Sequence, residues 1–190
     1  MLKVSAVVVL FIAVLAGFAQ TSAIKNFVSG GADLPKMENP RLVVKKGART
    51  LSVFDGEKLV ATYKIALGFS PVGDKAIEGD GKTPEGDFYI FTKNPNSSYF
   101  LSLGVSYPNK EDAKRGIDAG IISQEEHDEI FSAIDEMRMP PQKTALGGEI
   151  YIHGEGNSGD WTAGCVALEN TDMKALFEAI PLKAPVSIQP

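Results

Sequence analysis

A chain of 190 residues, 44% hydrophobic and 23% charged, is long enough for one domain with a real core. Its composition excludes a disordered, collagen-like or disulfide-dense protein. The formal net charge of −5, without a long run of like charge, argues against nucleic acid as a partner, because phosphate binding needs a basic face.

The first 23 residues stand apart. Lys3 gives a basic start, Val4 to Phe18 is an uncharged apolar run, and small residues lead to Ala23. That order predicts a secretory signal and an exported protein of the periplasm or cell envelope. An uncleaved N-terminal anchor is the alternative, but 15 apolar residues are short for a span that needs ~20. Residues 24–40, with Gly30, Gly31, Pro35 and Pro40, read as a linker, and the folded domain is expected over 41–190.

From Arg41 the pattern is β-rich. Arg41 to Lys45, Thr50 to Phe54 and Leu59 to Leu67 predict a three-stranded meander, with Asp55-Gly56 as a hairpin turn. A glycine-rich loop to Pro84 follows, then strands at Asp87 to Thr92 and Phe100 to Ser106. Asn109 is placed to cap a helix that Gly120 closes. Ser123 and Glu126 form a capping box for a second helix, with Ile130, Phe131, Ile134 and Met137 on one face. Together these helices predict an insertion over about 109–139, lying across the sheet and covering one side of any site there. Glu149 to His153 and Ala163 to Leu168 are further strands. Asn170 is placed to cap a C-terminal helix to about Ile180, and Pro185 to Ile188 reads as an edge strand. The fold class is α+β with a predominant sheet, either a sandwich or a partly open barrel.

Cys165 is the only cysteine, so no internal disulfide is possible. In an oxidising compartment a lone thiol is either buried and inert or reactive. A reactive one needs a base, because a free thiol is mostly protonated near neutral pH. Of the two histidines, His127 borders the apolar face of its helix and reads as a packing residue. His153 ends an apolar strand twelve residues before the cysteine, far enough for a loop to bring the two to one sheet edge. Gly164 lets the backbone approach a bound carbonyl and offer N–H groups to an oxyanion. On the residues alone, a buried structural cysteine remains an open reading. Two histidines and one cysteine without a carboxylate cluster do not make a metal site. The loop Gly79 to Gly86 lacks the order of a phosphate loop.

Tyr151-Ile-His-Gly154, followed by Asp160-Trp-Thr-Ala-Gly-Cys-Val-Ala-Leu168, resembles the L,D-transpeptidase (YkuD) family, which pairs a strand histidine with a downstream Ser/Thr-x-Gly-Cys. Gly81-Lys-Thr-Pro-Glu-Gly86 is similar to that family's Thr-Pro-x-Gly strand start. The resemblance implies a YkuD-like sandwich or partly open barrel acting on peptidoglycan stem peptides, in cell-wall organisation and cell shape, without a cofactor. It implies Cys165 as nucleophile and His153 as base. It places the Gly154 carbonyl as the group that orients the imidazole, Gly164 at the oxyanion site, and Thr162 and Trp161 on the substrate. Carbapenems acylate many members. L,D-carboxypeptidase or hydrolase activity, or a non-catalytic wall-binding module, are the alternative functions. Ala163 and Ala167 stand where many members have histidine and arginine or asparagine, which bears on substrate anchoring.

Overall fold

The structure is a computed structural model that describes residues 32–190. The expected export signal at 1–23 lies outside the described residues. Of the expected linker, the described part is tied down. Leu34 and Met37 pack against the core, and the Asn39 amide donates to Asp55 Oδ1 at 2.7 Å.

The fold is predominantly β, as expected. Eight strands form one sheet in the order β3-β2-β1-β8-β4-β5-β6-β7. The meander is β1 (Pro40–Lys45), β2 (Thr50–Asp55) and β3 (Lys58–Lys64). In β2, Leu51 and Val53 alternate inward, the period of a half-exposed strand. Gly56 turns the hairpin at φ 57°, a conformation that suits glycine.

The expected third strand is shortened, and the sheet's shape explains why. After Lys64 the chain leaves β2 and crosses to the far edge. There Ala66 bridges Ala167, and Gly68 bridges Thr162. The segment after β3 thus reaches the far edge, and the sheet curls into a half-barrel around Leu42, Leu51, Ile65, Leu103, Ile152 and Val166.

β4 (Gly86–Ser97) is twice the expected length. Its first residues pair with β8 (Pro185–Gln189), and from Ile90 onward it pairs with β5 (Phe100–Val105). A register shift between Ile90 and Thr92 bends it from one half of the sheet to the other. The expectation that Pro185 to Ile188 forms an edge is corrected. β8 lies between β1, to which it is parallel, and β4, to which it is antiparallel. Pro185 is tolerated because it opens the strand.

Helices α1 (Lys110–Asp118) and α2 (Gln124–Asp135) lie between β5 and β6 (Tyr151–His153). Both carry the capping boxes that satisfy first-turn amides, at Asn109 with Asp112 and at Ser123 with Glu126. They enclose a small second core of Ala113, Ile122, Ile130 and Leu146. Met137 falls beyond the end of α2 and is exposed. His127 stacks on Phe131 at 4.3 Å, a packing role. α3 (Asn170–Ala179) covers the sheet with Met173 and Leu176. Its cap is Glu169 rather than Asn170, whose Oδ1 accepts the Glu155 amide at 2.8 Å. Among the described residues, no helix is long and apolar enough to cross a membrane.

Candidate active site

The curled sheet brings His153 and Cys165 to one edge. β6 runs parallel to the short β7 (Val166–Ala167), with Ile152 beside Val166 and His153 beside Ala167. His153 therefore ends β6 just as Cys165 leads into β7. Both side chains line a cavity of about 870 Å³. A second cavity of about 330 Å³ approaches from the side of β4 and β5 and shares Tyr99, Glu149, His153 and Cys165. The thiol and the imidazole thus stand where two clefts meet.

His153 is buried at 3% exposure. Its Nδ1 lies 2.8 Å from the Gly154 carbonyl. A carbonyl can only accept, so Nδ1 carries the proton and Nε2 keeps its lone pair. The ring is walled by Tyr99 at 4.7 Å and by the edge of Trp161 at 5.6 Å. Burial pushes its pKa below the ordinary 6.5, outweighing the Gly154 bond, which favours the charged form.

The Cys165 sulfur sits between two backbone groups of the segment leading into β6. It accepts from the Tyr151 amide at 3.4 Å and donates to the Glu149 carbonyl at 3.5 Å. Glu149 turns that carbonyl inward from a left-handed conformation, φ 55°, strain of the kind that gathers at functional sites. Burial pushes the thiol up to about 11, with the Tyr151 amide pulling the other way. Both groups are therefore neutral at rest, and the thiol would become a nucleophile only by giving up its proton.

The loop before the cysteine is held from three sides. Thr162 Oγ1 donates to the Cys165 carbonyl at 2.8 Å and accepts the Gly164 amide at 3.1 Å. Its hydroxyl is thus engaged inside the loop, and so is the Gly164 N–H. Gly164 itself has φ 140°, and a Cβ there would come within 2.8 Å of the Lys82 carbonyl. That close approach, which only glycine permits, joins the cysteine loop to the Thr-Pro-x-Gly segment. Thr83 of that segment is fully buried, accepts the Gly68 amide at 3.0 Å, and lies 3.5 Å from the Cys165 carbonyl. The third tether is Asp160. It takes Arg49 Nε and Nη2 at 3.0 and 2.6 Å and the Leu67 amide at 3.0 Å.

Sequence reasoning did not single out Arg49, Asp160, Thr83 or Tyr99. Asp160 and Thr83 lie inside the two recognised blocks, which was their only signal. Trp161 is exposed and lies at the cavity, where a substrate can reach it. Gly154 has a steric reason to lack a side chain, since a Cβ would lie 2.3 Å from Asn170 Oδ1. Ala163 lines the larger cavity, but Ala167 is fully buried. An arginine at 167 would have to displace its packing neighbours.

The helical insertion does not wall the site as expected. None of the residues lining the larger cavity comes from 109–139; the return segment from Gln142 to Ile150 lines it instead. The helices support that segment from behind, through Leu146. Among the described residues, no group of three or more His, Cys, Asp or Glu side chains could hold a metal ion.

The chain is similar to several known proteins. YafK of Escherichia coli K12 is 33% identical over 78 residues, which cover 37% of this chain and 31% of that protein. YkuD of Bacillus licheniformis is 31% identical over 93 residues, covering 46% of this chain and 51% of that protein. The names of both assign them to the L,D-transpeptidases. The chain thus matches about a third to a half of the length of these relatives. A mutant of the helical cell shape determining protein Pgp2 from Campylobacter jejuni superposes with a TM-score of 0.54 at 25% identity, covering 83% of this chain and 50% of that one. The YkuD family model, described as the L,D-transpeptidase catalytic domain, matches residues 39–188, nearly the whole described fold including both site blocks. By that match the chain belongs to the YkuD family of L,D-transpeptidase catalytic domains.

Proposed function

We propose that this protein is a cysteine acyltransferase of the cell envelope, acting on peptidoglycan stem peptides at the L-centre of the third, diamino acid residue. The observation that carries the reading is the 2.8 Å contact between His153 Nδ1 and the Gly154 carbonyl. With Nδ1 tied to the Gly154 carbonyl, Nε2 is free to accept a proton, and the imidazole shares its cavity with the only thiol of the chain. Cys165 Sγ attacks the peptide carbonyl as His153 Nε2 takes the thiol proton. A C–S bond forms, and the carbonyl oxygen becomes an oxyanion. Because the Gly164 amide is bonded to Thr162, the donor assigned to that oxyanion is the Cys165 amide itself, which has no acceptor among the described residues. Collapse breaks the C–N bond, His153 protonates the leaving D-amino acid, and a thioester remains.

The two clefts meeting at the thiol suit an enzyme that binds one peptide to form the thioester and admits a second group to resolve it. An amine yields a cross-link, and water yields a trimmed peptide. Trp161 and Tyr99 are assigned to substrate packing, and a carbapenem is expected to add once, at Cys165. Export follows from the N-terminal pattern and is tested by sequencing the protein from an envelope fraction; an intact Met1 in a cytoplasmic pool would end that part of the proposal. The reaction is tested by incubating the protein with tetrapeptide muropeptides and weighing the products. Release of D-amino acid with dimer formation is the expected result, and release without dimers makes the enzyme a carboxypeptidase. No release at all, with Cys165 inert to thiol reagents, would leave a wall-binding module and refute the proposal.

A further inference from the structure

A nearly buried lysine lines the larger cavity, and no step above uses it. Lys75 is 3% exposed, yet it lines the cavity that holds Cys165 and His153. An ammonium has three N–H donors, and burying it is costly unless they find acceptors. Two do so: the Ile77 carbonyl at 2.9 Å and Asp80 Oδ1 at 3.0 Å. The Tyr107 ring lies 5.9 Å away, at the outer limit of a cation–π contact. No third acceptor exists among the described residues.

Asp80 balances the charge but fills only one of the three donors. Its carboxylate also takes the amides of Ala76 at 2.8 Å, Ile77 at 3.2 Å and Lys82 at 3.0 Å, so four residues share it. Burial alone would raise the Asp80 pKa, but these donors hold it below the ordinary carboxylate value. The carboxylate organises the loop, and the loop in turn fixes the ammonium. On the opposite wall Gly147, at φ 85°, comes so close that a Cβ would stand 3.3 Å from Lys75 Cε. The lysine's rotamer freedom is therefore lost on folding and not on binding, which favours a ligand.

We infer that Lys75 is the carboxylate-reading residue of this cavity, its third N–H taking a carboxylate of the peptide whose carbonyl Cys165 attacks. This rests on the function proposed above. A stem peptide cut beside an L-centre offers two such groups. One is the terminus of the leaving D-amino acid; the other closes the side chain of a diamino dicarboxylic residue.

The test uses Cys165→Ala protein, which binds without turnover, titrated with tetrapeptide in three forms: the free acid, the C-terminal amide, and the side-chain amide. A charge-assisted hydrogen bond predicts that amidating the recognised carboxylate weakens binding about tenfold or more. The same amidation is expected to cost under about twofold once Lys75→Met is added, and the form that loses affinity identifies which carboxylate is read. Equal binding of all three forms by the protein with Lys75 overturns the inference, as does full discrimination in Lys75→Met. Should Lys75→Met not fold, Lys75→Gln replaces it: the neutral head must cut the discrimination at least about threefold, and unchanged discrimination overturns the inference. Turnover by the unsubstituted protein is measured on the same peptides. Absence of D-amino acid release there refutes the proposed reaction, while the titrations still decide Lys75.

Discussion

Thr162 separates a residue that shapes the site from one that touches substrate. Thr162→Val keeps the volume and removes the hydroxyl. The Gly164 amide, buried, then loses its acceptor, and the Cys165 carbonyl keeps only the long contact to Thr83 at 3.5 Å. An unsatisfied buried group costs about 1–3 kcal/mol, so one full loss and one partial loss amount to about 2–4 kcal/mol. In a domain of this size that lowers Tm by about 5–15 °C. Thr162→Ser retains both bonds and forfeits one methyl group, a cost of about 1 kcal/mol. Thermal unfolding gives the stabilities, and the rate of Cys165 alkylation by iodoacetamide reports whether the thiol has moved. The expected order is wild type, then Ser, then Val well below both, with alkylation altered only in Val. A Thr162→Val protein as stable as wild type, with KM alone raised, would show that the hydroxyl serves substrate and would refute the positioning role.

Other outcomes follow from the same site. Cys165→Ser should fold and lose turnover, and Cys165→Ser combined with His153→Ala should be barely slower than either alone, since the two act as one unit; additive losses measured by kcat/KM would contradict this. The acid limb of kcat/KM should have its midpoint below the ordinary histidine value of 6.5, because burial keeps His153 neutral to lower pH. The sign for stability is the same: with the folded pKa depressed, the contribution is present above 6.5 and is lost as pH falls through the folded value. A midpoint above 6.5 would remove His153 as the base. Arg49→Leu frees Asp160, and Trp161 is the single tryptophan of the chain. Its emission should shift to the red and its acrylamide quenching should rise, with Tm falling by only a few degrees because the ion pair is partly exposed.

What the sequence made legible was local. Asp55-Gly56, Ser123 with Glu126 and Asn109 each direct their own few residues, and each did so as expected. Pairing over long distance was not legible. Pro185 to Ile188 looks like an edge because it holds a proline, and nothing in those residues tells that β1 and β4 flank them. Likewise Leu59 to Leu67 reads as one strand until the curl of the sheet draws Ala66 to Ala167. At the site, His153 and Cys165 were found through their motif, since one histidine and one cysteine carry little pattern of their own. A motif names residues but not the aim of a hydroxyl. Thr162 reads equally well as a substrate contact, and only its bonds to Gly164 and Cys165 turn it inward. Lys75 had no signal at all, because a lysine in a polar loop looks solvated.

The place of β8 has a consequence for how the chain comes to be folded. The meander of β1 to β3 and the hairpin of β4 with β5 are each built from neighbours in sequence and can form as the chain emerges. Within the sheet, Pro185–Gln189 is the strand that joins them, with Leu42 to Lys45 on one side and Gly86 to Tyr89 on the other. Until those residues are delivered, two apolar half-sheets must wait with unpaired edges. The thiol depends on the same seam, since the loops around it are anchored in both halves. The pocket around the thiol is therefore expected to stay unformed until β8 has been made, and a proteolytic cut just before β8 should loosen it.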